Sequence, residues 1–260
     1  MRPPANRPEL TWLGQCGFVL RAAGTTALID PFVSEHELRL FGPPETALVT
    51  ADVDWLLVTH EHLDHLDIDF LSVLAAGSPN VRIVVPSPVA ALIEAVPGDR
   101  VVGVQPGGTV DFGPLRVTVV PAFHALRPAD GYSDGRTALD DRARFVGYVV
   151  EAGDTCVYHS GDTIVTPELE SALVGRRIDV ALLPVNGRDY YREQLGIAGN
   201  MSAREAAELG VRIGARLLVP MHWDLIRGNT VPAGALADAV SELGCPVHVL
   251  NMARYQPLAL

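Results

Sequence analysis

Histidine and aspartate side chains are concentrated in one short segment of the chain. Six consecutive residues contain four potential metal ligands, namely His60, His62, Asp64 and His65. Three of the protein's 8 histidines are therefore found here. Imidazole and carboxylate groups are the usual protein ligands of zinc and related divalent ions. A solvated polar turn with unrelated histidines is the alternative, and it does not account for this density. The segment predicts a metal site.

The residues before this segment indicate how it is presented. Trp55-Leu56-Leu57-Val58 is an apolar run of the kind that forms a buried strand. At the end of such a strand, the alternation of an extended chain places His60 and His62 on one side. Asp64 and His65 then turn away, so they can serve a second ion.

Three further polar residues each come just after an apolar, strand-like run, and these are His124, Asp162 and His222. Strands from both halves of the chain could deliver these side chains to the same sheet edge as the first cluster. A single histidine after a strand is more often structural. The combination with residues 60–65 is what predicts a shared ligand set.

Short strand-like runs, many of them divided by glycine, extend through both halves of the chain. A hairpin is predicted around Gly153-Asp154, and a helix is predicted over residues 87–96 after a Ser-Pro pair. Ser202 and Glu205 form a capping box that predicts the start of another helix. This order suggests two sheets packed together and covered by helices. Residues 125–144 form a long irregular stretch of the kind that is often functional.

Composition narrows the class of protein. The chain has 260 residues, of which 48% are hydrophobic, so it can bury a core as a single domain over 1–260 with halves at roughly 9–125 and 143–258. The net charge of −11 argues against nucleic acid, because phosphate contacts need a basic face. No signal peptide is visible, and no apolar run approaches the roughly 20 residues that span a bilayer. A cytoplasmic protein with no membrane partner is expected.

The cysteines are not expected to take part in the site. Cys16, Cys156 and Cys245 lie far apart and form no metal-type pair. Buried, reduced thiols are the interpretation that fits a cytosolic protein. We therefore expect a ligand set without thiolate.

The H-x-H-x-D-H motif at residues 60–65 resembles that of the metallo-β-lactamase fold superfamily, and the resemblance extends over essentially the whole chain. It implies an α+β fold, a four-layer αββα sandwich with the metal site at one edge of the two sheets. It also implies two ligand sets: His60, His62 and His124 for one ion, and Asp64, His65 and His222 for the other, with Asp162 bridging them. The diiron oxygen-reducing relatives typically carry a carboxylate at the position of His62, so an imidazole there favours a hydrolase.

Within the superfamily the chain resembles the L-ascorbate-6-phosphate lactonase-like group. The segments that carry this resemblance are 159–162, Asn186-Gly187-Arg188, 200–203, 220–224 and the pattern Asp134-Gly135 with Asp140-Asp141-Arg142-Ala143. The resemblance implies a small anionic ester, in particular a lactone, as substrate.

The expected chemistry follows from the ligands. Two divalent ions, zinc or manganese with iron as an alternative, would hold a water that loses a proton near neutral pH and becomes the nucleophile. Asp64 is the predicted catalytic residue, since it could orient that hydroxide or carry its proton to the leaving group. Asn186 and Arg188 are candidate substrate-binding residues, with a surface ion pair as the alternative for Arg188. Tyr190 and Tyr191 are expected to pack rather than to line the site.

Two other functions remain open at this point. One is a phosphodiesterase of the nuclease or phospholipid-cleaving type, against which the acidic balance counts. The other is a non-catalytic metal-binding protein or a redox protein. A small-molecule substrate is the expected partner, and assembly into a homo-oligomer is left open.

Overall fold

The computed structural model describes residues 7–94, 96–126 and 142–260. Most of the irregular stretch predicted at 125–144 lies outside these residues, together with Asp134-Gly135 and Asp140-Asp141. The described residues form two seven-stranded sheets and the helices that cover them.

The first sheet is built from the N-terminal half and one C-terminal strand. Its strands are β1 (Glu9–Gly14), β2 (Gly17–Ala22), β3 (Thr25–Ile29), β4 (Trp55–Leu57), β5 (Arg82–Pro86), β6 (Val101–Val104) and β14 (Pro257–Ala259). Their spatial order is β14-β1-β2-β3-β4-β5-β6. Pairing is antiparallel from β14 to β3 and parallel from β3 to β6.

The second sheet has the same arrangement. Its strands are β7 (Thr109–Phe112), β8 (Leu115–Pro121), β9 (Val146–Ala152), β10 (Thr155–His159), β11 (Val180–Pro184), β12 (Leu217–Met221) and β13 (His248–Val249). Their order is β13-β12-β11-β10-β9-β8-β7, antiparallel from β7 to β10 and parallel from β10 to β13. Both sheets are therefore mixed, and the second takes β7 and β8 from the first half of the chain.

Within the described residues, six α-helices lie in the connections between strands. They are α1 (Thr46–Thr50), α2 (Ile68–Gly77), α3 (Pro167–Leu173), α4 (Tyr190–Gln194), α5 (Ala203–Arg212) and α6 (Ala235–Leu243). Short 3-10 helices cover Ser87–Leu92, Gly98–Arg100 and Arg142–Arg144. None of the helices in the described ranges is long and apolar enough to cross a bilayer.

Alternating side chains of the strands produce three apolar layers. The central layer joins the two sheets, with Phe18 and Leu57 from the first and Tyr148 and Leu182 from the second. A second layer packs α3, α5 and α6 on the outer face of the second sheet. The third packs α1 and α2 on the outer face of the first sheet. These layers confirm the predicted αββα sandwich.

Local predictions were confirmed in most places. The hairpin around Gly153-Asp154 joins β9 and β10, and Ser202 and Glu205 form the capping box at the start of α5. The helix predicted over 87–96 was wrong in type and length, because only a 3-10 helix over Ser87–Leu92 forms. The hydroxyl of Ser87 donates to Val104 O (3.1 Å) and does not cap the turn.

Candidate metal centre

The predicted ligands converge at one edge of the sandwich. His60 follows β4, Asp162 follows β10 and His222 follows β12, in each case within a few residues of the end of the strand. His124 follows β8, which runs in the same direction as β10 because two antiparallel pairings separate them. The shared direction of these strands within each sheet brings their carboxyl ends together, as the sequence predicted.

The first cluster contains the three histidines predicted to hold one ion. His60, His62 and His124 are buried, and their ligand atoms lie within 4.8 Å of one another. His124 Nδ1 donates to Gly199 O (2.9 Å), which leaves Nε2 as the free acceptor. Burial lowers the pKa of His60 well below its ordinary value and that of His124 to about 4. Both rings are neutral at pH 7, the form in which imidazole binds metal.

The second cluster surrounds the carboxylate of Asp162. Asp162 Oδ1 lies 3.4 Å from His65 Nε2, and Asp162 Oδ2 lies 3.1 Å from His222 Nε2. Asp162 Oδ2 also lies 3.5 Å from His124 Nε2 of the first cluster. Asp162 therefore stands between the two clusters, the position that the resemblance implied for a bridging ligand.

His65 provides the test of whether this cluster fits a metal ion. Its Nδ1 donates to Asp30 Oδ2 (2.7 Å), so in the neutral ring, the form that binds metal, its Nε2 is the acceptor. That Nε2 is buried and has no hydrogen-bond partner among the described residues. A buried acceptor without a donor is costly, and a cation beside Asp162 would satisfy it. The donors present therefore fit a divalent ion.

Asp30 orients His65. Its carboxylate accepts from Thr59 N (2.8 Å) and Thr59 Oγ1 (2.5 Å) as well as from His65. The residue is fully buried and adopts a φ of 44°. Carboxylates that fix a ligand histidine in this way are a regular part of metal sites.

The second cluster is electrically different from the first. Burial alone would lower the pKa of His222, but the Asp162 carboxylate raises it to about 9. Asp162 likewise holds the pKa of His65 well above its ordinary value against the effect of burial. In return, these imidazoles hold the pKa of Asp162 far below its ordinary value although burial would raise it. Protons occupy this cluster in the metal-free protein.

Asp64 stands on the solvent side of the second cluster. Its Oδ2 lies 3.3 Å from His222 Nε2, and its side chain retains 23% exposure. Burial would raise the pKa of Asp64, but His65 and His222 hold it well below its ordinary value. Asp64 is a carboxylate at neutral pH and can accept a proton.

Sequence reasoning missed two residues of the turn between β1 and β2. Gln15 Nε2 donates to Asp64 Oδ2 (2.7 Å), and the Cys16 thiol donates to Asp162 Oδ1 (3.7 Å). Cys16 was not among the predicted ligands, yet it joins His65, Asp162 and His222 in one donor cluster. The available signal was a polar pair between two glycines at the end of a strand.

A cavity of about 860 Å³ opens above the two clusters. Its lining includes five predicted ligands, namely His62, Asp64, His124, Asp162 and His222. Apolar side chains form another part of the wall, namely Phe32, Leu38, Leu63, Ile197 and Ile226. This volume suits a small organic molecule.

A chain of side-chain hydrogen bonds forms a polar part of the cavity wall. Asn200 Nδ2 donates to Asn186 Oδ1 (3.0 Å), and Asn186 Nδ2 donates to Asn229 Oδ1 (2.8 Å). Arg192 donates to the same Asn229 oxygen and pairs with Asp189 (2.6 Å). All of these residues line the cavity. Asn186, a candidate substrate-binding residue from the sequence, therefore lies in the cavity wall.

Arg188 lies in a different environment. It pairs with Glu205 and is not among the residues that line the cavity. Arg227 does line the cavity, is exposed, and makes no side-chain hydrogen bond or ion pair with the residues that the structure describes.

The packing predicted for Tyr190 and Tyr191 was wrong, because both line the cavity and are more than 70% exposed (75% and 73%).

Comparison with known proteins agrees with this geometry. Residues 25–223 match the family described as the beta-lactamase superfamily domain. The chain belongs to this superfamily. A UPF0173 metal-dependent hydrolase of Methanoregula boonei is 32% identical over 239 residues, which cover 89% of each protein. The protein described here is therefore a metal-dependent hydrolase of the metallo-β-lactamase fold.

Several solved structures have the same fold as this protein, and two of them show the extent of the likeness. Igni18, a metallo hydrolase of Ignicoccus hospitalis, superposes with a TM-score of 0.73 at 19% identity, covering 97% of this chain and 98% of that one. An isothiocyanate hydrolase from Delia radicum gut bacteria superposes with a TM-score of 0.74 at 19% identity, covering 97% and 99%. At 19% identity, these two comparisons show a shared fold and nothing about the reaction.

Proposed function

We propose that the protein is a binuclear hydrolase of a small anionic ester, of the lactone class and similar to L-ascorbate-6-phosphate lactonase. The observation that carries this proposal is the pair of donor clusters that share Asp162 beside a cavity of about 860 Å³. Two adjacent sets of imidazole and carboxylate donors are the arrangement that two-metal hydrolases require.

The residues divide between the ions as follows. One ion would be held by His60, His62 and His124, and the other by His65 and His222 with Asp64, while Asp162 lies between them. When bound, such ions lower the pKa of water and polarise the oxygen of the bond that is broken. The protein's own residues supply orientation and proton transfer.

Asp64 is the group that moves the proton. Its Oδ2 is held by Gln15 Nε2, so the orientation of the carboxylate is fixed. Its Oδ1 makes no comparable hydrogen bond among the described residues and lies 3.8 Å from His65 Nε2. Because Asp64 is ionised and lines the cavity, it can take the proton of the attacking water and pass it to the leaving alkoxide.

Arg227 is the residue that we assign to the substrate's anionic group. Arg188 was the sequence's candidate, but its guanidinium pairs with Glu205. Arg192 faces the cavity but pairs with Asp189. The guanidinium of Arg227 has no such partner in the part of the chain that the structure describes, so it is available to bind a carboxylate or phosphate in a forked geometry.

Kinetics on matched substrates test the assignment of Arg227. Arg227→Lys should lower kcat/KM for anionic lactones by roughly 10-fold, equivalent to about 1.4 kcal/mol of transition-state binding. Neutral lactones should change little, because they have no anion to hold. Arg188→Lys is the matched control and should leave both substrates unchanged. Equal losses on charged and neutral lactones with Arg227→Lys would remove the anion-binding role.

The reaction class is tested separately by initial rates of the metal-loaded protein. Lactones, phosphodiesters and thioesters are compared at equal concentration. The proposal requires that anionic lactones are the fastest group. A clear preference for phosphodiesters would replace it with the phosphodiesterase alternative.

A further inference from the structure

The turn between β1 and β2 lies beside the second donor cluster. β1 runs in the same direction as β4, because two antiparallel pairings lead from β1 to β3 and β3 is parallel to β4. The end of β1 therefore reaches the same sheet edge as His60. Cys16 in this turn is fully buried, and its carbonyl oxygen is bonded by His159 Nε2 (2.8 Å). The backbone at Cys16 is held in place.

The side chain of Cys16 points at the acidic centre of the cluster. Its Sγ lies 3.7 Å from Asp162 Oδ1, and Asp162 is its only hydrogen-bond partner among the described residues. Ligand atoms of Cys16, His65, Asp162 and His222 all lie within 4.8 Å of one another. Cys156 and Cys245 belong to no such group in the described ranges.

The separations in this cluster suit a shared ion. Sγ to Oδ1 is 3.7 Å, and His65 Nε2 to the same Oδ1 is 3.4 Å. Nitrogen, oxygen and sulfur ligands at about 2.0–2.3 Å from one zinc ion lie roughly 3.2–3.7 Å from each other in a tetrahedral arrangement. The Nε2 of His65 is buried and has no hydrogen-bond partner among the described residues, which independently points to a cation site here.

We propose that Cys16 Sγ is a ligand of the second metal ion, together with His65, Asp162 and His222. The inference rests on the binuclear centre proposed above. As the metal–sulfur bond forms, the S–H proton leaves to solvent, so no oxidant or reductant is involved.

The position of Cys16 complements that of Asp64. Cys16 is fully buried and does not line the cavity, whereas Asp64 lines it and is 23% exposed. A thiolate on the protein side leaves the cavity side of the ion to Asp64, water and substrate. Thiolate is a softer donor than carboxylate, so this second site should prefer zinc or cobalt over manganese.

Cobalt substitution tests the proposal by spectroscopy rather than by activity. Co²⁺ is titrated into the metal-free wild type while stoichiometry and absorption are followed. A thiolate ligand produces a sulfur-to-cobalt charge-transfer band in the near ultraviolet, which we expect with the second equivalent. Cys16→Ser should abolish the band. Cys156→Ala and Cys245→Ser are the matched controls and should retain it.

X-ray absorption of the zinc-loaded wild type gives a second readout that needs no variant. We expect sulfur scattering at about 2.3 Å from zinc, amounting to one sulfur for every two zinc ions. Two bound ions without a sulfur scatterer, or a charge-transfer band that survives Cys16→Ser, would overturn the thiolate ligand and leave the binuclear centre standing. Binding of one ion only, with a Cys16-dependent band, would instead support the ligand and contradict the binuclear proposal.

Metal preference separates a ligand from a merely structural thiol. Loss of groups that only orient ligands costs about 10–100-fold in metal affinity, so loss of a ligand should cost at least about 100-fold. We expect this loss for zinc at the second site of Cys16→Ser and a much smaller loss for manganese. Equal losses for both metals would indicate that Cys16 acts only through packing.

Discussion

Individual side chains give the two halves of the centre opposite protonation states. His60 and His124 are neutral because burial lowers the pKa of each ring, to about 4 for His124. His222 is protonated at pH 7 because Asp162 raises its pKa to about 9 against the effect of burial. The first site is therefore ready to bind an ion, while an ion at the second site must displace protons.

This difference predicts that binding of the second ion is linked to pH. Below pH 9 the proton on His222 competes with the metal, so the affinity of the second site should rise as pH increases from 6 to 9. The first site should change little over the same range. Calorimetry in buffers of different ionisation enthalpy would measure protons released at each step. Absence of proton release at the second step would contradict the assignment.

Asp64 gives a prediction about chemistry rather than binding. Asp64→Asn keeps the shape and an acceptor for Gln15 but removes the group that takes the proton. Turnover should fall by about 100-fold or more, within the range of proton-transfer groups. The comparison is made at equal metal content, determined on the same samples. Unchanged turnover at full loading would show that Asp64 does not act as the base.

At the scale of elements, short turns at strand ends hold the ligands. Gly161 precedes Asp162 with a φ of +59°, and a Cβ on it would lie 2.7 Å from Val146 O and 2.8 Å from Thr59 Cβ. The turn after β10 therefore lies directly against the segment that begins the histidine motif. Nearby, Glu61 and Arg144 form a buried ion pair that ties that motif to the residues before β9.

Gly161→Ala should separate Asp162 from the first cluster. The added methyl group must displace either backbone or Thr59, so we expect a loss of about 2–3 kcal/mol in stability and weaker binding of both ions. Gly153→Ala is a matched control, since Gly153 has a similar φ of +60° and open space around its Cβ. That variant should show only the conformational cost, about 1–2 kcal/mol. Chemical denaturation and metal titration of both variants measure the difference.

The turns also show what sequence could not predict at this scale. The apolar runs before His60, His124 and His222 correctly predicted strands that end at the site. A buried strand is recognisable in a sequence because its residues form an apolar run. Gln15 and Cys16 carry no such pattern, since a polar pair between glycines also describes an ordinary hairpin turn. Only the pairing of β1 with its neighbours places them beside Asp162 and Asp64.

At the scale of the whole molecule, the two mixed sheets bring distant parts of the chain to one edge. The histidine motif belongs to the first sheet, whereas Asp162 and His222 belong to the second. The motif and its resemblance predicted this architecture correctly. The cavity could not be predicted in the same way, because Arg227 and Tyr190 reach it from loops and the short helix α4 whose sequences have no distinctive periodicity.

The central claim is that one edge of the sandwich holds two ions. The most direct test is the metal content of the wild type after saturation with zinc or manganese and removal of unbound metal, measured by elemental analysis and native mass spectrometry. The account predicts close to two ions per chain, with His62→Ala and His222→Ala each retaining about one, because each variant removes a ligand of a different ion. A saturated wild type that holds a single ion, or none, would contradict it.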